Sequence, residues 1–191
     1  MPADQPPLVG LAGVVLAAGR SRRFGADKRW ALWQGEPLLA HALHSALAAC
    51  DRVLVVVERH DAKLEEMLAR LPAEPVVCPA AHRGLAFSRR YGLDALKDDP
   101  ALRGVLVFLG DMPAIRPLDA RRLGATMLDT GLPVRPVHRG NPGHPVACPA
   151  RWLPELAESG FPASGRSIEW EHAGVVCDVD RPVDLDTLTA S

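Results

Sequence analysis

Arg20, Arg22, Arg23 and Lys28 place four cations within nine residues, directly after a turn that opens at Gly19. Guanidinium groups fork onto phosphate oxygens, and a lysine ammonium acts as a compact point charge. The preceding segment, Val14 to Ala18, is short and apolar, as expected of a buried parallel strand. Gly19 has no Cβ, so the chain is expected to turn there with positive φ and to bring main-chain N–H groups close to an anion. Together these residues suit a polyphosphate. Two other phosphate-binding patterns fail on spacing. A P-loop needs four residues between its glycines and then Lys-Ser/Thr, whereas five separate Gly19 from Gly25 and Ala26 follows. No Gly-x-Gly-x-x-Gly fingerprint is present in this segment either. A solvated basic loop is the plain alternative.

Carboxylates that could face this loop come from two later segments. Asp111, in Gly110-Asp111-Met112-Pro113, follows the apolar run Val105 to Leu109 and so falls at the carboxyl edge of a sheet. A carboxylate opposite bound phosphate calls for a cation between them, and Mg²⁺ takes a few carboxylate oxygens while leaving positions for phosphate and water. A turn aspartate is the alternative. Asp178 and Asp180 share one face of an extended segment and could approach the same metal. Asp180 could instead cap the last helix ahead of Pro182, and Asp184 reads as a first-turn helix carboxylate. The run Arg139 to Val146 sets Gly143 and His144 between prolines, a rigid turn of small residues suited to lie against a bulky acceptor, or a hairpin with an exposed histidine. Ser88 lies near a helix start with His82, Arg83, Arg89 and Arg90 around it, which suits an anion. Trp30, Trp33, Trp152 and Trp170 read as packing residues, and His41 and His44 as structural or solvated helix residues.

These residues need a scaffold that delivers them to one edge. Apolar strands at 14–18, 53–57, 76–78 and 105–109 alternate with helical spacing at 37–49, 61–71 and 85–96, followed by a helix at 118–128. Such alternation predicts a parallel sheet with helices on both faces and ligands at the carboxyl ends of its strands. After 128, seven prolines from Pro133 to Pro162 leave room for short strands and turns, which predicts an antiparallel insertion. A late strand at Val175-Val176 and a closing helix at 183–188 complete the reading.

At 191 residues the chain fits one domain, 1–191, with residues 1–9 as a flexible start. A net charge of −1 argues against a nucleic-acid partner, since the cations are concentrated locally. No apolar run approaches a membrane span, and the first residues lack the features of a signal peptide, so a cytoplasmic location is expected. Cys50, Cys78, Cys148 and Cys177 show no metal-binding spacing and are expected to be reduced and mostly buried.

The spacing Leu16-Ala17-Ala18-Gly19-x-Ser21-x-Arg23-x-Gly25-x-x-Lys28 resembles the signature loop of the MobA/MocA-like nucleotidyltransferases. The Gly-Asp-x-Pro of Asp111, the stretch Asp178 to Leu185 and Gly143-His144-Pro145 are similar to further segments of that family. The resemblance implies an α/β, Rossmann-like three-layer fold with a mostly parallel sheet. It implies transfer of a nucleotidyl group from an NTP to a phosphate acceptor, with Mg²⁺ or Mn²⁺ as cofactor. The implied nucleotide-binding residues are Leu16, Ala17, Ala18, Gly19, Ser21, Arg23 and Lys28. Arg23, Lys28 and Asp111 would be catalytic, Asp111, Asp178 and Asp180 would hold the metal, and Ser88, Gly143 and His144 would meet the acceptor. Ala18, Ser21 and Gly143-His144-Pro145 resemble the MocA type, which implies CTP and molybdopterin, with a molybdenum hydroxylase or its chaperone as the protein partner. Departures from the family pattern are Ala86 and Arg90 around Ser88, and Arg181 and Val183 after Asp180. Alternatives are a guanylyltransferase of the MobA type, a sugar-1-phosphate nucleotidyltransferase and a non-catalytic molybdenum cofactor-binding chaperone.

Overall fold

The computed structural model describes residues 6–19, 21 and 23–189. Its elements are β1 (Leu8–Leu16), β2 (Leu32–Trp33), β3 (Glu36–Pro37), α1 (Leu38–Ala49), β4 (Cys50–Val57), α2 (Ala62–Leu68), β5 (Glu74–Val77), α3 (Leu85–Asp94), β6 (Gly104–Leu109), α4 (Pro117–Thr130), β7 (Val134–His138), β8 (Asn141–Pro142), β9 (Val146–Pro149), α5 (Leu153–Ser159), β10 (Arg166–Glu169) and α6 (Asp184–Thr189). The central sheet runs in the order β10-β7-β9-β6-β1-β4-β5, with β8 paired to β7. β1 is parallel to both β4 and β6, and β4 to β5. β9 is antiparallel to β6 and β7, so the antiparallel pairing expected in the C-terminal half extends this sheet. β2 and β3 form a small antiparallel pair of their own. The fold is α/β and Rossmann-like, with a mostly parallel central sheet.

Strand periodicity explains why both faces are dry. Leu11, Val15 and Ala17, with Val53, Val55, Leu106 and Phe108, face α1, α2 and α4 in one core. Their neighbours Ala12, Val14, Leu16, Leu54, Val56, Val105 and Val107 face α3 and α5 in a second core. Two helical glycines set how closely the layers approach. A Cβ at Gly92 of α3 would come within 2.5 Å of Val14 Cγ1, and one at Gly124 of α4 within 2.9 Å of Leu11 Cδ1.

Several expectations need correction. β1 begins at Leu8, which pairs with Cys50, so residues 8 and 9 belong to the sheet and not to a flexible start. Val175-Val176 is not a strand: residues 173–175 form a 3₁₀ turn, and the Val175 carbonyl accepts from the His144 N–H at 2.8 Å. The proline-rich segment also holds α5, which has a proline in its first turn, and the edge strand β10, parallel to β7. Among the described residues, no helix is long and apolar enough to cross a membrane.

Candidate active site

Parallel pairing brings the ends of β1 and β6 together. Leu16 is in register with Leu109, the Gly110 N–H donates to the Leu16 carbonyl at 2.9 Å, and the Ala17 N–H donates to the Val56 carbonyl at 2.8 Å. Gly110 is needed for this closeness, since a Cβ there would stand 3.1 Å from that of Ala17. The basic loop and Asp111 therefore leave the sheet side by side. Asp178 and Asp180 arrive from the C-terminal segment, which is tied down where the Val179 N–H donates to the Asp111 carbonyl at 2.9 Å. Asp184 holds the turn after them, accepting from the N–H groups of Asp180 (2.8 Å) and Arg181 (2.7 Å).

The result is a three-carboxylate cluster. One oxygen each from Asp111, Asp178 and Asp180 lie within 4.8 Å of one another. Lys28 is inserted among them: its Nζ is 2.7 Å from Asp111 Oδ2 and 3.3 Å from Asp180 Oδ1, and donates to the Val179 carbonyl at 2.8 Å. The Lys28 side chain is only 13% exposed. Burial works against its charge, but pairing with Asp111 and then Asp180 outweighs this and raises its pKa. Arg23, largely exposed, pairs with Asp180 from the solvent side.

These groups line a cavity of about 610 Å³, whose wall includes Leu16, Ala17, Ala18, Gly19, Arg23, Lys28, Ser88, Asp111, Asp178 and Asp180. Ala17, Ala18, Gly19 and Arg29 also border a second cavity, which Ser21, Asp27, Glu58 and Arg59 line on the other side of the loop. Gly19 faces open space, with nothing within 4 Å of a Cβ built there. The left-handed conformation expected at Gly19 falls instead on Ser21 (φ 47°) and Gly25 (φ 79°). Ser21 shapes the loop: its Oγ accepts from the Lys28 N–H at 3.2 Å and its carbonyl accepts from the N–H groups of Phe24 and Gly25. Arg20 and Arg22 lie outside the described residues.

Ser88 is almost fully buried on α3 and still reaches the cavity wall. Gly143 and His144 are not on that wall. Gly143 packs against the 173–176 turn so closely that a Cβ would stand 2.2 Å from the Val175 carbonyl oxygen. His144 Nδ1 is 3.3 Å from the Val107 carbonyl, and burial lowers the imidazole pKa although Asp111 and Asp178 nearby favour its charge. The Gly-His-Pro turn therefore packs against β6 and the 173–176 turn, off the wall of this cavity.

Sequence reasoning missed Arg29, which lines both cavities. Its guanidinium pairs with Asp27 at 2.6 Å and Asp61 at 3.1 Å, and stands 5.5 Å from the Trp30 ring centroid. A cation adjoining Lys28 was the available signal. It also missed Asp119, a buried carboxylate held by Trp170 and His172. Its capping-box spacing after Arg116 was the available local signal, but nothing local marks Trp170 and His172, which are about fifty residues away.

The MobA-like NTP transferase domain family matches residues 13–174. The molybdenum cofactor cytidylyltransferase of Escherichia coli (strain K12) is 27% identical over 186 residues, covering 91% of this chain and 93% of that protein. A probable molybdenum cofactor guanylyltransferase of Chloroflexus aggregans is 38% identical over 110 residues, covering 56% and 49%. Crystal structures of Rv0371c from Mycobacterium tuberculosis H37Rv share the fold. One gives a TM-score of 0.73 at 24% identity over 98% of this chain and all of that one, and a manganese complex gives 0.69 at 23% over 95% and 98%. With the family match covering most of the chain, including the basic loop, this chain belongs to the MobA-like NTP transferase domain family.

Proposed function

We propose that the chain transfers a cytidylyl group from CTP to the phosphate of molybdopterin, releasing pyrophosphate, with Mg²⁺ or Mn²⁺ as cofactor. The observation that carries this reading is one cavity wall on which Gly19, Lys28 and Arg23 stand beside Asp111, Asp178 and Asp180. The donor set fits the metal: three carboxylates with converging oxygens suit a hard divalent cation. The Lys28 ammonium among them supports the fit, because the cluster already accommodates positive charge. Bound there, the ion would neutralise phosphate charge as it builds up.

The chain's own task is positioning and electrostatics. An acceptor phosphate oxygen forms a bond to the α-phosphorus while the bond from that phosphorus to the β-phosphate oxygen breaks, and pyrophosphate leaves with the electron pair. Arg23 and Lys28 supply positive charge to the departing oxygens, and Gly19 leaves the main chain open to the phosphates. Ser88 is assigned to the acceptor. Gly143 and His144, first read as acceptor contacts, are reassigned to support of the wall behind Asp111. A cytoplasmic location and delivery of product to a molybdenum hydroxylase or its chaperone go with this reading.

CTP is favoured because the cytidylyltransferase relative aligns along nearly all of both chains. The higher identity of the shorter guanylyltransferase match supports GTP as the second reading. The test is pyrophosphate release from each NTP with Mg²⁺, with molybdopterin or a panel of sugar phosphates as acceptor. Turnover with CTP and molybdopterin is expected. A GTP requirement would replace the donor, turnover only with a sugar phosphate would replace the acceptor, and none with any acceptor would leave a binding role.

A further inference from the structure

Two segments that carry the cluster run past each other in opposite directions. One leads from Asp111 to the start of α4, the other from Trp170 to Asp180. Their contacts follow in order. The Val179 N–H bonds the Asp111 carbonyl at 2.9 Å, and Gly174 lies so close to Ala114 that a Cβ would stand 2.5 Å from its carbonyl oxygen. At the far end, Asp119 accepts from Trp170 Nε1 at 3.1 Å and from His172 Nε2 at 2.8 Å. The Gly174 N–H donates to His172 Nδ1 at 3.1 Å, which leaves Nε2 as the protonated nitrogen. Arg116 completes the shell, with its N–H, Nε and Nη2 all donating to Asp119 at 3.0 to 3.1 Å.

Asp119 is 4% exposed, a position where a carboxylate is costly unless fully paired. Burial disfavours its charge, yet bonds from Arg116 and Trp170 and the nearby His172 hold its pKa below the ordinary value. Through the Arg116 N–H it closes a capping box at the start of α4, a task that needs neither Trp170 nor His172. The bonds from those two side chains fasten the C-terminal segment at a fixed register against the segment that bears Asp111.

We infer that Asp119 is a positioning residue for the carboxylate cluster, acting through Trp170 and His172 to set where Asp178 and Asp180 stand relative to Asp111. The inference rests on the proposal that this cluster holds a divalent cation. Outer partners that orient metal ligands typically change affinity by about 10- to 100-fold when removed. Asp119 acts at one further remove, so about tenfold is expected.

The test uses the full chain without nucleotide, at temperatures well below unfolding. Asp119→Asn should speed hydrogen exchange of the Val179 amide about tenfold relative to the strand amides of β1, and weaken Mn²⁺ binding, read by electron paramagnetic resonance, about tenfold. Trp170→Phe, which removes one donor and keeps a ring, should give smaller changes in the same direction and serves if Asp119→Asn does not fold. His172→Gln, which keeps a side-chain donor, should recover most of the loss seen in His172→Ala. Folded variants with wild-type Val179 exchange and wild-type Mn²⁺ affinity overturn the inference. Faster Val179 exchange in a chain whose wild type binds no Mn²⁺ keeps the positioning role and overturns the metal reading alone.

Discussion

Lys28 shares one ammonium between two carboxylates and a main-chain carbonyl, so the loop and the C-terminal segment are joined through a single cation. Its raised pKa keeps that junction charged well past neutral pH. His144, behind the same wall, has the opposite disposition, because burial lowers its pKa. As pH falls below the unfolded value of about 6.5, the unfolded chain takes up a proton that the folded imidazole refuses. Stability is therefore expected to fall with acidification below that value, down to the lowered folded pKa, and to be complete above it. His144→Asn, which retains a donor for the Val107 carbonyl, should flatten this part of the profile. Thermal unfolding of both proteins between pH 7 and pH 5 checks it, and parallel profiles would show that His144 titrates normally.

At the scale of elements, the layer spacing is set by missing side chains. The Cβ of Gly92→Ala would meet Val14 Cγ1 at 2.5 Å and Val56 Cγ2 at 2.8 Å, inside a core where neither valine has room to turn. Overpacking of this kind costs about 1–3 kcal/mol, or roughly 2–4 °C of Tm per kcal/mol for a chain of this size. Because α3 also carries Ser88, the variant should raise acceptor KM more than it lowers kcat, measurable by calorimetry and steady-state kinetics. Unchanged Tm would mean that α3 is free to slide. The alternation that made β1, β4 and β6 readable from sequence is a consequence of burial on both faces. β10, α5 and the 173–175 turn were not readable, since their residues are fixed by pairing with β7, by contact with α3 and by a carbonyl bonded to His144. Loop and carboxylates were legible because their chemistry is carried by residue type. That Gly143 and His144 pack off the wall of the main cavity was not legible, because a turn sequence does not say which of its sides the fold covers.

For the molecule as a whole, the sheet divides the interior into two cores with no buried residue in common, although Leu109 packs against both. Cys50 and Cys148 lie in different cores, and burial pushes the Cys148 thiol up to about 12 and raises that of Cys50 further. Cys78 is also buried, and Cys177 alone is partly exposed. A thiol reagent at pH 8 should therefore modify Cys177 in the native protein and all four cysteines after denaturation. Rapid modification of more than one thiol in the native protein would contradict the packing.

The position of β1 also bears on the order of events during synthesis. It leaves the ribosome before its two neighbours, β4 and β6, which come at Cys50–Val57 and Gly104–Leu109, and Asp178 and Asp180 come later still. The centre of the sheet is thus made before the strands that flank it, and β7, β9 and β10 follow those. An elongating chain can close its parallel core, with Asp111 at its edge, before Asp178 and Asp180 emerge, so acquiring the fold and completing the site are separate steps in time.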